Sequence, residues 1–143
     1  IIGTAACENP SLIERLMGAF GPERVVLGVD AKDGKVAIKG WLELGIDAHE
    51  LIQNIHGKYN VSRVIFTDIS KDGALKGPNL QSTAAVCRCV PGCKVIASGG
   101  VSSPADVAAL KALGCENLEG AIVGKALYEG RTSFKELSQA AQG

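Results

Sequence analysis

Ile122-Val123-Gly124-Lys125-Ala126-Leu127 resembles the stretch with which the chain opens, Ile1-Ile2-Gly3-Thr4-Ala5-Ala6. Gly3 and Gly124 stand 121 positions apart, the length of about four strand-plus-helix units of roughly 30 residues each. Four units are half of an eight-unit (β/α) barrel, and a complete barrel takes about 250 residues. A chain of 143 residues then holds the end of one strand, Ile1-Ile2-Gly3-Thr4, followed by four complete units. Ile1 stands where a start methionine would, so the chain reads as a piece of a longer protein.

Working outward, four short apolar runs follow one another: Val25-Val26-Leu27-Gly28-Val29-Asp30, Val64-Ile65-Phe66-Thr67-Asp68, Val95-Ile96-Ala97-Ser98-Gly99 and Ala121-Ile122-Val123-Gly124. Continuous apolar runs of this length predict strands buried on both faces, as in parallel sheets. Helices are predicted between them from their caps. Asn9-Pro10 precedes an apolar face of Leu12, Ile13, Leu16, Met17 and Phe20, and Asp47-x-x-Glu50 has capping-box spacing ahead of Leu51, Ile52 and Ile55. Asn79 leads a segment to Val90, Ser103-Pro104 opens a helix stopped by Gly114, and a last helix starts near Thr132-Ser133. Asp30, Thr67, Ser98 and Val123 are separated by 37, 31 and 25 positions, a spacing that requires parallel strands and right-handed helical crossovers. An open doubly wound sheet satisfies the same spacing. The four-unit repeat favours one α/β domain over residues 1–143, a half (β/α)8 TIM barrel.

Composition narrows the function classes. The 15 basic and 15 acidic side chains cancel, which leaves no electrostatic footprint for a nucleic-acid backbone. No apolar stretch approaches the roughly 20 residues that a membrane-spanning helix needs. The five cysteines are an odd number in a chain large enough to bury a core unaided, so reduced thiols in a cytoplasm are expected. Cys87-x-Cys89-x3-Cys93 misses the usual zinc spacing and begins in a helical segment. Ordinary thiols are expected there, and no metal site.

In parallel α/β folds the carboxyl ends of the strands face the ligand crevice, so polar residues there are candidates. Asp30 ends an otherwise apolar run, where a partly desolvated carboxylate suits general acid-base work; its plain alternative is a turn carboxylate in the loop Asp30-Ala31-Lys32-Asp33-Gly34. Thr67-Asp68-Ile69-Ser70-Lys71-Asp72-Gly73 is too polar and too long to be a mere connection, although Asp72-Gly73 alone would read as a turn. Ser98, Gly99 and Gly100, with Gly124 and Lys125, close the last two strands. Small residues there let backbone N–H groups reach a phosphate, and helices starting beyond each loop would add their positive dipole ends. Gly3 and Thr4 would contribute to a second, symmetry-related phosphate site. Trp41, the single tryptophan, either stacks on a flat ligand ring or packs over the barrel rim. His49 and His56 carry no partnered ligand pattern and are assigned no catalytic role.

Together, Gly3-Thr4-Ala5-Ala6, Gly28-Val29-Asp30-Ala31-Lys32-Asp33-Gly34, Gly40-Trp41, Thr67-Asp68-Ile69-Ser70-Lys71-Asp72-Gly73, Ala97-Ser98-Gly99-Gly100-Val101 and Ile122-Val123-Gly124-Lys125-Ala126-Leu127-Tyr128 resemble one family. It is the phosphoribosylformimino-aminoimidazole carboxamide ribotide isomerase of histidine biosynthesis. The resemblance implies the C-terminal half of a (β/α)8 barrel and a cofactor-free Amadori rearrangement of a bis-phosphorylated substrate. It gives Asp30 one acid-base role, sets Thr67 and Asp72 on the reacting ribose, and has Gly99, Gly100, Gly124 and Lys125 hold one phosphate, with Trp41, Gly73 and Ser98 beside them on the substrate. A second catalytic aspartate belongs to the half not present. The expected partner is therefore an N-terminal half-barrel or a second copy, joined through open strand edges. The homologous cyclase subunit of imidazole glycerol phosphate synthase is the nearest competitor, and Val123-Gly124-Lys125-Ala126-Leu127 favours the isomerase. A relative that also isomerises phosphoribosylanthranilate and a non-catalytic phosphate-binding half-barrel are the remaining alternatives.

Overall fold

The computed structural model describes residues 1–38, 42–72 and 75–143, without the side chains of 4, 38 and 42–44. Trp41 and Gly73 lie outside the described residues, as does the side chain of Thr4. In chain order the elements are α1 (Thr4–Glu8), α2 (Pro10–Phe20), β1 (Val26–Lys32), β2 (Lys35–Ile38), β3 (Leu42–Asp47), α3 (Ala48–Tyr59), β4 (Arg63–Asp68), α4 (Leu80–Cys89), β5 (Lys94–Ser98), α5 (Pro104–Lys111), β6 (Leu118–Ala121), α6 (Lys125–Tyr128) and α7 (Phe134–Gln142). A short 3-10 turn, Pro22–Arg24, leads into β1.

The apolar runs form the parallel strands β1, β4, β5 and β6, adjacent in that order. Ile2 makes a parallel bridge to Leu27 on the side of β1 away from β4, so the opening residues do stand as the end of a preceding strand. Strand alternation sorts the side chains. Leu27, Val29, Ala31, Val64, Phe66 and Val95 are buried in one cluster with Ile13 of α2, Ile52 and Ile55 of α3, and Val86 of α4. On the same face Ala97 packs with Leu110 of α5, and α7 lies against α5. Helices on a single face distinguish half of a barrel wall from a doubly wound sheet, which needs them on both. The opposite face carries Gly28, Asp30, Ile65, Thr67, Ile96 and Ser98, none of them buried.

Three expectations need correction. The residues after β1 are not a loop. Asp33 and Gly34 both take left-handed backbone, φ 50° and 78°, and turn the chain into β2, which pairs antiparallel with β1 and then with β3. Two successive positive φ angles are what a tight hairpin requires. The last strand ends at Ala121 and not at Gly124: its register with β5 shifts between Val95 and Ile96, and only the Ile122 amide still reaches the sheet, donating to Ala97 O at 2.8 Å. Asp30, expected to be partly desolvated, is exposed, and among the described residues no second layer covers its face of the sheet.

The amino-terminal ends of the strands are closed by charge. Arg63, the first residue of β4, grips Glu119 of β6 with two hydrogen bonds, one of them Nη2 to Oε1 at 2.8 Å. Lys94 Nζ of β5 stands 3.3 Å from the same carboxylate. These contacts hold Glu119 well below its ordinary value of 4.5, at about 2, with the Arg63 hydrogen bond as the largest cause.

Candidate active site

The carboxyl ends of the parallel strands bring the candidates into one row. Asp30 of β1 is the register partner of Thr67 of β4, which in turn is the partner of Ser98 of β5. At roughly 4.8 Å per strand, the row runs about 10 Å from Asp30 to Ser98. All three belong to the alternation phase that faces away from the helices, which is why an acid, a hydroxyl and a second hydroxyl interrupt otherwise apolar strands.

Two recesses flank this row. One, of about 230 Å³, is lined by Asp30 and Thr67 together with Gly3, Gly28, Ile65 and Val36. The second, of about 80 Å³, is lined by Asp72, Ser98, Gly99, Gly100, Gly124 and Lys125, among others. The sequence grouped Asp72 with Thr67. The structure puts Thr67 with Asp30 and delivers Asp72 to the glycine recess beside Ser98. Gly3 falls on the Asp30 side, away from Gly99 and Gly124, as expected for two separate anion sites.

The glycines are fixed by chain crowding as well as by any ligand. Gly99 has φ 94°, and a Cβ there would meet Asp68 O at 2.6 Å; Gly100 has φ 81°, and a Cβ would meet Gly77 O at 2.3 Å. The Gly77 amide donates to Gly100 O at 3.2 Å. The loops after β4 and β5 are thus in direct backbone contact. Gly124 differs: nothing lies within 4 Å of the position a Cβ would take, so the recess is open on its side.

The dipole contribution expected from the following helices is altered by self-capping. Helix α5 starts only at Pro104, and Asp106 Oδ2 accepts from the Ser102 and Ser103 amides at 2.8 and 3.0 Å, while Ser103 Oγ accepts from the Asp106 amide. Those donors are spent within the chain. Beyond Gly124, α6 is a four-residue turn, and Lys125 Nζ lies 3.6 Å from Glu129 Oε1. An anion in the recess would meet glycine backbone and a lysine shared with Glu129.

Sequence reasoning passed over Asp68. It follows Thr67 directly, so alternation turns it to the helix side, where it is buried. Its carboxylate accepts from the Ser70 amide at 3.0 Å, from Ser70 Oγ at 2.5 Å and from Asn79 Nδ2 at 2.6 Å. Its carbonyl accepts from the Lys71 and Asp72 amides at 3.0 and 3.1 Å. Three acceptor bonds on a buried carboxylate are the usual condition for burying one at all. The signal was present as an acid in the same alternation phase as Val64 and Phe66, but its meaning depends on which face that phase takes.

The remaining candidates are structural. Cys87 and Cys93 are buried in the main core. Burial pushes the Cys87 thiol up to about 12, with Cys115 beside it adding to the rise, and Cys93 up to about 11; such thiols are poor nucleophiles and poor ligands. His56 Nδ1 meets Val61 O at 2.8 Å, and His49 sits in the first turn of α3, where its amide and that of Glu50 donate to the Asp47 cap.

The chain is similar to known proteins along most of its length. A family model described as "Histidine biosynthesis protein" matches residues 1–133. The relative from Prochlorococcus marinus (strain MIT 9211) is 47% identical over 137 residues, covering 95% of this chain and 52% of its own length. That from Geobacter sulfurreducens is 44% identical over 137 residues, with 95% and 55% covered. That from Heliobacterium modesticaldum is 47% identical over 143 residues, with 99% and 57% covered. Each is named 1-(5-phosphoribosyl)-5-((5-phosphoribosylamino)methylideneamino) imidazole-4-carboxamide isomerase. The chain spans about half the length of the curated relatives it matches.

Proposed function

The chain belongs to the histidine biosynthesis protein family, and on that premise we propose that it is the C-terminal half of an aldose-ketose isomerase acting on a bis-phosphorylated aminoimidazole carboxamide ribotide. The observation that carries this reading is the row Asp30, Thr67, Ser98 along the strand ends, set between a recess containing Gly3 and one containing Gly99, Gly100, Gly124 and Lys125. A substrate with a phosphate at each end, as the relatives' names describe, needs a reacting centre between two anion sites.

The chemistry is an internal redox step that consumes no cofactor. A carboxyl group protonates the ribose ring oxygen as the C1–O bond breaks, leaving a C1=N iminium. A carboxylate then takes the proton from C2, giving an enolamine, which tautomerises to the aminoketose: C1 is reduced and C2 oxidised. Asp30 is one member of that acid-base pair, Thr67 and Asp72 bind the ribose hydroxyls, and Gly73 and Trp41 contact the substrate. Ser98, Gly99, Gly100, Gly124 and Lys125 hold one phosphate, and Gly3 and Thr4 contribute to the other. The second acid-base residue comes from an N-terminal half-barrel. That half, or a second copy, pairs with the open edges at Ile2 and β6, in the cytoplasm.

Asp30→Asn in the complete polypeptide tests this. Turnover of the ribotide should fall by roughly 100- to 10,000-fold, the usual worth of one acid-base group, while the affinity for inorganic phosphate stays the same. Unchanged turnover would remove Asp30 from the chemistry. Phosphate binding by the wild-type protein with no isomerisation would leave a phosphate-binding module in place of an enzyme.

A further inference from the structure

We propose that Asp68 is a positioning residue: with Asn79 it clasps the loop after β4 at both ends and so holds Asp72 in the glycine recess. The inference deepens the isomerase reading and rests on it for its kinetic arm. One Asp68 carboxylate oxygen takes both donors of Ser70, at the start of the loop. The other takes Asn79 Nδ2, and Asn79 is the residue at which the loop ends, because its own Oδ1 accepts from the Ser82 amide as the cap of α4. Ser70 and Asn79 are thereby tied to each other through a single buried acid. The same residue's carbonyl fixes the Lys71 and Asp72 amides and lies against Gly99. Asp72 itself is exposed, so its placement depends on these backbone anchors. Thr67 faces the reacting side and Asp68 the helix side of the same strand, one residue serving the substrate and the next serving the loop.

The pair can be tested by reversing the direction of its hydrogen bond. Asp68→Asn sets the introduced amide against Asn79 Nδ2, donor against donor. Asp68→Asn combined with Asn79→Asp restores a donor and an acceptor, and the introduced carboxylate remains a good helix cap. In the complete polypeptide, the single variant should exchange the Asp72 amide at least about tenfold faster, and kcat should fall about 10- to 100-fold, the usual effect of a small misplacement of a reacting group. Affinity for inorganic phosphate should change by less than about threefold, and the double variant should recover both readouts. Kinetics are read well below the melting midpoint, where the variants are folded. Ser70→Ala, an exposed site, reads the same changes in smaller measure should the buried variant fail to fold. Faster exchange with unchanged kcat would make the clasp purely structural and overturn the proposal, as would unchanged exchange or a double variant no better than the single one. If the wild-type protein does not isomerise the ribotide, the isomerase reading falls; the exchange arm then decides the clasp alone.

Discussion

Gly99 and Gly100 illustrate how the chain's own packing can demand a glycine. Their position after a strand pointed to close approach by a ligand. The structure adds that the approaching atoms already include the chain's own carbonyls, Asp68 O and Gly77 O. Gly100→Ala must therefore both hold a positive φ and displace backbone. We expect a loss of about 2–4 kcal/mol, seen as a lower urea midpoint with an unchanged slope. Gly124→Ala meets no neighbour and should leave the midpoint nearly unchanged while weakening phosphate binding. Asp68 shows the converse. Nothing in the string of residues says that it faces the helices while Thr67 faces the opposite side; that follows from the phase of the strand, which only the packed sheet fixes.

At the scale of elements, caps were the most readable signals. Asn79, Ser103 and Ser133 each accept a backbone N–H at a helix start, because their short polar side chains compete for donors that the first turn leaves unsatisfied. Ser103→Ala should cost about 1 kcal/mol, a fall of several degrees in melting temperature by calorimetry. It would leave the Asp106 amide without its side-chain acceptor, so the loss should exceed that of Ala substitution elsewhere on α5. The hairpin β1–β2 is hidden in the sequence because the surrounding rhythm of alternating strands and helices makes its residues read as a connection. Asp33-Gly34 was the available clue, but it was weighed as a loop turn next to a candidate acid. The final strand was placed too late for a related reason: apolar residues continue past the register shift, and hydrophobicity alone does not mark where pairing stops.

For the molecule as a whole, the candidate site and a cluster of charged residues occupy opposite ends of the sheet, an arrangement usual for barrels. The Arg63–Glu119–Lys94 cluster at the amino-terminal end gives stability a pH signature. Glu119 ionises at about 2 in the folded chain against an ordinary 4.5, so the folded state binds its proton less readily than the unfolded state does. Its contribution is complete above about pH 4.5 and is lost as the pH falls toward 2. Glu119→Gln should consequently be less stable than wild type at pH 6, and the gap should close between pH 4.5 and 2 in urea titrations. The half-barrel architecture could be argued from the spacing of strand ends and from the likeness of Gly3 to Gly124. Which strand residues face the helical layer could not, because apolar side chains such as Ile65 and Ile96 stand on the opposite face as well.

The two consecutive residues Thr67 and Asp68 look outward from opposite sides of one strand, and this makes β4 intolerant of changes in length. Inserting a single residue into β4 ahead of Thr67 would trade the two faces at a stroke, burying a hydroxyl where the clasp acid belongs and presenting an acid to the recess. A single-residue insertion scan should therefore show a sharp gap at β4, with tolerance recovering at surface turns such as Gly21 and Glu116, where no such bookkeeping of sides applies.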